Sequence, residues 1–391
     1  MPLAPTAGQI ETALAGARAA VPVRFSWQRR TLLNQFRDDI SSAVYDDTVP
    51  RLTLDNSRAV LRDIGHISFR ANDLPGDFNS DSDIIAVVEQ RFILGAWRDF
   101  PLGLFRLDVG ETAYGEDGAP VVECDASDLA SLLVESGPQA PYTVAASTNY
   151  STAARAVLDA LGLTHALPNV TAVTPLVHTW PPYPETTWYG VLADLYAGIN
   201  HWPPWPGVDG RFTTRAIIDP AAELATVTYR DDTEPRLVDG ETPYRRRDEV
   251  GTIANQCVVV IDDPRHPAFG FELRENADAA SPVSTVYKPA RQERIDYDSA
   301  PSTKVILDGA TAGTIAATRL QFAAAGYRTA RLSTFADPRR DAHECYDLNL
   351  DGIEGGTLWL AQSWSRDLDV RGTTMEHRIS RVDAVTVTEP A

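Results

Sequence analysis

Asp347, Asn349, Asp351 and Gly352 follow one another as D-x-N-x-D-G. That is how a calcium loop opens, with alternate oxygens on the cation and a glycine at the sharp bend. The twelfth position, where such a loop needs a bidentate glutamate, is Leu358, and alternating apolar residues on both flanks predict strands rather than helices. A hairpin turn is the better account of Asp-Gly between two apolar runs. His343-Glu344 begins like a zinc-protease helix, but Asp347 stands where the second histidine belongs, and the segment reads as strand. Asp262, Asp263 and His266 (DDPRHP) offer metal ligands or an acid and base, yet Asp-Asp-Pro is equally a turn leaving a strand, and the turn is preferred.

No G-x-S-x-G, Walker loop, C-x-x-C or post-strand G-x-G-x-x-G is present. With 54 acidic residues, no particular carboxylate pair can be nominated for glycoside hydrolysis. The sequence therefore assigns no catalytic residue, no metal and no cofactor. Trp180, Tyr183, Trp188, Trp202 and Trp205, interleaved with proline, are expected to pack between a helix and a hairpin. Trp202 and Trp205 are expected to be the most exposed of them and are the candidate glycan contacts. Arg245 to Arg247, a basic run in an acidic chain, reads as a linker or a subunit contact.

The elements that must position these residues follow from periodicity. Ile10, Ala13, Leu14 and Ala17 share one face of a short N-terminal helix, with Thr6 and Gln9 spaced as a capping box. Strands are expected at Val21 to Trp27, Arg51 to Leu54, Ile64 to Phe69 and Ile84 to Leu94. Next comes Phe100 to Glu111 (FPLGLFRLDVGE), in which a Pro-Leu-Gly turn enters a strand. A turn at Gly115 to Gly118 separates it from VVECDASDLASLLVE (Val121 to Glu135), a strand and a short helix. Beyond a linker, Ala154, Val157, Leu158 and Leu161 recur at helical spacing up to Gly162. Trp188, Val191, Leu192, Leu195 and Ile199 stripe a second helix, and Asp209-Gly210 marks a hairpin. After a linker at Leu237 to Asp248, strands return at Asn255 to Ile261 and Phe269 to Leu273. Arg274 to Ser302 reads as an extended loop or arm. A third helix spans Thr311 to Ala325, and four strands follow it: Tyr327 to Thr334, Cys345 to Leu350, Thr357 to Ser365 and Thr374 to Val385.

A chain of 391 residues, 43% of them apolar, suggests two to four compact units of about 100 to 200 residues each. The layout is mainly β with an α+β insertion. Two antiparallel β barrel or sandwich domains, residues 1–138 with the N-terminal helix and residues 245–391, flank a small mixed module at residues 139–244. A net charge of −19 disfavours a nucleic-acid-binding surface, which needs clustered Lys and Arg. Lys288 and Lys304 are the only lysines. Cys124, Cys257 and Cys345, odd in number and within strand-like runs, are expected to be buried free thiols. No basic leader precedes an apolar core, and no run approaches the roughly 18 apolar residues of a membrane span. A soluble protein made in the cytoplasm is expected.

Trp97 followed by FPLGLFRLD and then VVECDASDL resembles the hub, or minor tail, proteins at the tip of long-tailed bacteriophages. Trp188 to Phe212 and the terminal GTLWLAQSWS with its Gly-Thr-Thr sequel are similar to the corresponding family segments, in the same order. The resemblance implies a virion tail-tip component made in the host cytoplasm. It also implies that three copies form a ring, each giving two similar tube-forming β domains, so that a threefold ring presents roughly sixfold symmetry to the tube above. Expected partners are further copies of the chain, a distal tail or tube protein, tail fibre or tip proteins and a tape measure protein, with DNA passing through unbound. The alternatives are a tail-tip cell-wall hydrolase working through Asp262 or His266, and a receptor protein binding carbohydrate through Trp202 and Trp205.

Overall fold

Leu104 and Phe105 are neighbours in one strand and enter different cores. Around them the computed structural model describes residues 9, 21–44, 49–55, 65–72, 74–75, 77–114, 120–230, 244–248, 253–288, 290–295, 305–325, 328–340, 343–350, 354–370 and 374–390. The helix expected at Ile10 to Ala19 and the turn at Gly115 to Gly118 lie outside them.

The first β unit comprises β1 (Val23–Thr31), β2 (Phe36–Asp39), β3 (Arg51–Asp55), β4 (Gly65–Ala71), β5 (Asp83–Ile93), β6 (Ala96–Tyr114) and β7 (Pro120–Asp128). Hydrogen bonding runs β4-β7-β6-β5-β1-β2 with every neighbour antiparallel. After β2 the chain returns to β4: Val44 bridges Ala71, and Asn72 N donates to Ala43 O at 2.7 Å. The sheet thus curls on itself around Trp27, Ile67, Phe69, Ile85, Val87, Phe105, Leu107 and Ala126. Pro101 to Gly103 is not a turn into a strand, as the sequence suggested, but a bulge inside β6. Val87 faces Gly103 and Val88 faces Pro101, leaving Leu102 extra. A proline without an N–H is tolerated at such a bulge.

The opposite face of β5 and β6 carries the mixed module. Ile84, Ala86 and Leu104 pack under α1 (Ala130–Val134), α2 (Tyr150–Ala160) and α3 (Trp188–Ala197). Asn149 caps α2 by accepting from Thr152 N at 3.0 Å, Thr187 caps α3 by accepting from Gly190 N at 3.1 Å, and Gly162 follows α2 at φ +68°. Two short pairs complete the module: β8 (Tyr142–Val144) with β9 (His178–Trp180), and β10 (Trp205–Pro206) with β11 (Phe212–Thr213). The expected Asp209-Gly210 hairpin joins the latter pair, and a Cβ on Gly210 would fall 2.3 Å from Leu104 Cδ1, so the turn rests directly on β6.

The remaining strands are β12 (Val227–Arg230), β13 (Tyr244–Asp248), β14 (Gln256–Ile261), β15 (Gly270–Asn276), β16 (Gln292–Ile295), β17 (Arg328–Phe335), β18 (Cys345–Leu350), β19 (Glu354–Asp367), β20 (Thr374–Arg381) and β21 (Val387–Thr388). The helix α4 (Gly309–Ala325) lies among them. They make two bodies. One is a sheet in the order β13-β17-β20-β19, with β18 and then β12 beside β19, around Tyr229, Leu332, Tyr346, Leu348, Trp359 and Ile379. The other is the sheet β16-β14-β15-β21, whose Cys257, Val259 and Ile261 face Ala312, Ala316 and Leu320 of α4.

The expected linker therefore contains an edge strand, β13. The expected arm at Arg274 to Ser302 folds into turns tied to Asn276, whose Nδ2 donates to Ser281 Oγ at 3.1 Å and whose carbonyl accepts from Ser284 Oγ at 3.1 Å. These turns lead into β16. Residues 296–304 are outside the described set. Long-range pairing joins the two β units, because β3 of the first pairs antiparallel with β19 of the second, Asp55 opposite Ser363 and Arg51 opposite Asp367. Among the described residues thirteen strands form one mainly antiparallel sheet. The chain is mainly β with a small helical insertion, as expected.

Gly103 sits at φ +150°, and a Cβ there would meet the Phe105 ring at 2.7 Å, whereas one on Gly95 at φ +77° meets nothing. Gly103→Ala is expected to lower unfolding free energy by about 2–3 kcal/mol, from backbone strain plus overpacking. Gly95→Ala is expected to cost about 1 kcal/mol, from backbone strain alone. Chemical denaturation of both variants checks the difference.

Candidate assembly interface

Of the residues nominated for chemistry, Asp263 and His266 are occupied with holding turns, and Asp262 is exposed beside them. Asp263 accepts from Arg265 N at 3.0 Å, Nε at 2.9 Å and Nη2 at 2.6 Å, which holds its carboxyl at about 2. His266 is buried, with Nε2 2.8 Å from Ile306 O and Nδ1 accepting from Ala268 N at 3.0 Å, so both ring nitrogens are engaged. Asp347 and Asn349 lie on β18, as the strand reading required, while Asp351 and Gly352 are outside the described residues. No cluster of three His, Cys, Asp or Glu positioned for a metal occurs among the described residues.

Trp180 is buried, as expected, with Nε1 donating to Asp194 Oδ2 at 2.8 Å, and Tyr142 packs edge-on against Trp188 at 5.2 Å. The expected exposure of Trp202 and Trp205 is corrected. Trp205 is buried and meets His343 at 4.8 Å, and Trp202 is half-buried. One face of Trp202 stacks on His343 at 4.1 Å, and Phe322 of α4 meets it edge-on at 5.4 Å. The proline-flanked segment lies in the seam between the mixed module and the third part of the chain, a placement that local sequence does not encode.

Beneath the surface, charge binds the two β units. Glu89 on β5 is fully buried; its Oε1 accepts from Arg91 Nε and its Oε2 from Arg366 Nη2 of β19, both at 2.5 Å. Arg91 Nη2 also donates to Ala336 O at 2.6 Å. Burial lowers the Arg366 pKa, and the charge of Glu89 opposes that shift. Removing one partner from a buried pair of this kind costs about 3–5 kcal/mol, so the seam fixes how β5 and β19 meet. Next to it, Arg340 Nη1 reaches Glu344 Oε2 and Arg340 Nη2 reaches Asp337 Oδ2, each at 3.2 Å. His377 lies within 3.0 Å of Thr334 Oγ1 and 3.3 Å of the Tyr346 hydroxyl, with Tyr229 beside it. Sequence reasoning passed over these groups; charged residues at alternate positions within the apolar run Ile84 to Leu94 were the available signal. The three cysteines are buried free thiols, as expected, with burial pushing Cys124 up to about 11 and Cys257 and Cys345 to about 12.

What the chain presents outward is strand edge and hairpin tip. The long sheet ends at β2 and β13, whose outer edges have no strand partner among the described residues. The β1–β2 tip exposes Leu33 and Phe36, and the β5–β6 tip exposes Phe92, Leu94 and Trp97, with the Arg24 guanidinium 4.2 Å over the Trp97 ring. Open edges and apolar tips are features that soluble chains cover by association. Among the described residues, no helix is long and apolar enough to cross a membrane.

Burial, followed by the charge of Arg340, pushes His377 down to about 3. Unfolded chain takes up this proton below about pH 6.5, and native chain does not until about pH 3, so stability is lost as pH falls through that window, by up to about 1.4 kcal/mol per unit. His377→Gln is expected to remove close to one proton of uptake on unfolding near pH 5. Denaturation across pH 4 to 7 measures it, and equal slopes for the two proteins would contradict the assignment.

Solved structures share this architecture. The tail protein from Neisseria meningitidis MC58 superposes with a TM-score of 0.60 at 13% identity, over 91% of this chain and 96% of that one. The 43 kDa tail protein of prophage MuSo2 from Shewanella oneidensis gives 0.56 at 11% identity, over 90% and 98%. Prophage tail protein gp18 from Listeria monocytogenes EGD-e gives 0.54 at 7% identity, over 91% and 94%. No family model matches the chain, and no curated protein sequence matches it. The resemblance carried by FPLGLFRLD and GTLWLAQSWS is met at the level of the fold, and the chain has the fold of these tail and prophage tail proteins.

Proposed function

We propose that this chain is a structural hub subunit of a phage tail tip. In this reading three copies form a ring that closes or adapts the distal end of the tail tube and lines a channel for DNA. One observation carries it: the fold is shared with tail proteins over at least nine tenths of both chains, so it is the whole architecture and not a single module that corresponds. Two β units in one hydrogen-bonded sheet give physical sense to a threefold ring beneath a sixfold tube, since each copy then supplies two wall segments held at a fixed angle. The exposed edges β2 and β13 and the apolar hairpin tips are the surfaces that further copies and neighbours would cover; those neighbours are a tube protein above and fibre, tip or tape measure proteins around it. A share of the 19 surplus negative charges facing the lumen would let DNA slide without adhering.

The engagement of Asp263 and His266 in turn hydrogen bonds supports a structural rather than a hydrolytic role. Native mass spectrometry of the purified chain over a concentration series is expected to show a trimer growing with concentration. A monomer at every concentration would contradict a ring formed by this chain alone.

A further inference from the structure

Arginines line up across three strands of the second β unit. Arg245 of β13 stands opposite Arg331 of β17, and Arg331 stands opposite Arg378 of β20. The alternating positions Ala330, Leu332 and Ile379 are buried in the core, so this line belongs to the outer face, and Arg331 and Arg378 are exposed. Arg247, two positions along β13, is exposed as well. Like charges directly opposite in neighbouring strands destabilise a sheet. Arg331 and Arg378 are such a pair, and they form no ion pair among the described residues. Exposed Glu376 is the nearest acid on that face along β20. In a chain with 54 acids and 35 bases, Arg331 and Arg378 concentrate the minority charge.

The first β unit carries the reverse pattern. Glu111 of β6 stands opposite Glu123 of β7, and Asp125 follows two positions later. Asp108 lies at the neighbouring bulge, accepting from Ser127 Oγ at 2.5 Å. Asp108, Glu123 and Asp125 are exposed, while the alternate Leu107, Cys124 and Ala126 are buried. Arg70 answers Glu123 at 2.5 Å, and His66 stands 3.8 Å from Asp125, which leaves the patch acidic. Arg331 and Arg378 stand one strand spacing apart, about 4.8 Å, and Asp108 and Asp125 face outward from neighbouring strands, so the two faces can be laid together.

We propose that the arginine line on β13, β17 and β20 docks on the acidic face of β6 and β7 of a second copy of this chain. The inference rests on the ring reading and gives it a specific interface. Because the two faces differ and sit on separate β units, the contact is heterologous, the kind that builds a ring when the rotation between copies closes. The counter-charge relieves the pair formed by Arg331 and Arg378. Nucleic acid would neutralise the arginines too, but it would leave the acidic face of Asp108 and Asp125 uncovered.

The test uses three variants of the full chain, with folding checked by circular dichroism: Arg331→Glu with Arg378→Glu, Glu123→Arg with Asp125→Arg, and all four together. Native mass spectrometry and sedimentation are expected to show that each double reversal raises the concentration needed for assembly at least tenfold. The fourfold reversal is expected to restore it, and salt is expected to weaken the wild-type oligomer. Double reversals that assemble like wild type would overturn this interface while leaving the ring intact. A wild-type chain that never assembles would remove the ring reading itself. If the Arg331 and Arg378 reversal spared assembly but abolished retention on duplex DNA, the line would belong to a nucleic acid and the proposal would fail.

Discussion

The strand β19 is hydrogen-bonded to three others, β18, β20 and β3, and the rest of the structure depends on that sharing. Its first half carries Trp359 into the core of the second β unit, and its second half carries Trp364 into the core of the first. Five positions separate the two tryptophans, so simple alternation would put them on opposite faces. A one-residue bulge between Ala361 and Ser363 corrects the phase: Ala361 lies opposite Ile379 and Trp364 opposite His377, all on the inner face. Two β units built from distant parts of the chain therefore share one sheet.

The ionic seam follows from the same geometry. Arg366, two residues beyond Trp364, points inward and meets Glu89 of β5, with Arg91 on the other carboxylate oxygen. Apolar side chains would fill this space with less desolvation, but they would not specify one register as sharply as a bidentate charge does. Together the bulge and the seam fix the angle between the β units. The mixed module adds a third constraint from the opposite side. Ile84, Ala86 and Leu104 bind it to the back of the strands that line the first barrel.

Local pattern made much of this readable in advance. The helices α2, α3 and α4, the glycine ending α2, the Asp209-Gly210 hairpin and most strands announce themselves through periodicity and turn chemistry, which are properties of neighbours in sequence. What escaped depends on residues hundreds of positions apart. The pairing of Asp55 with Ser363, the parallel pairing of β12 with β18 and the seam that buries Trp205 leave no trace in their own segments. The basic run Arg245 to Arg247 was visible, but its meaning changed once β17 and β20 supplied Arg331 and Arg378 beside it. Bulges were the hardest to see, because one extra residue at Leu102 or Gln362 looks like ordinary sequence until both strands are in place.

Through β3 and β19 the two β units behave as one body. Native-state hydrogen exchange measures this directly, using the amides of Leu52, Leu54, Trp364 and Arg366. The account predicts that they exchange by the same global opening as the core amides of β5 and β20 and share their denaturant dependence. Exchange of β3 and the second half of β19 through a separate low-energy opening, with both barrels still protected, would show that the units are hinged and would contradict it.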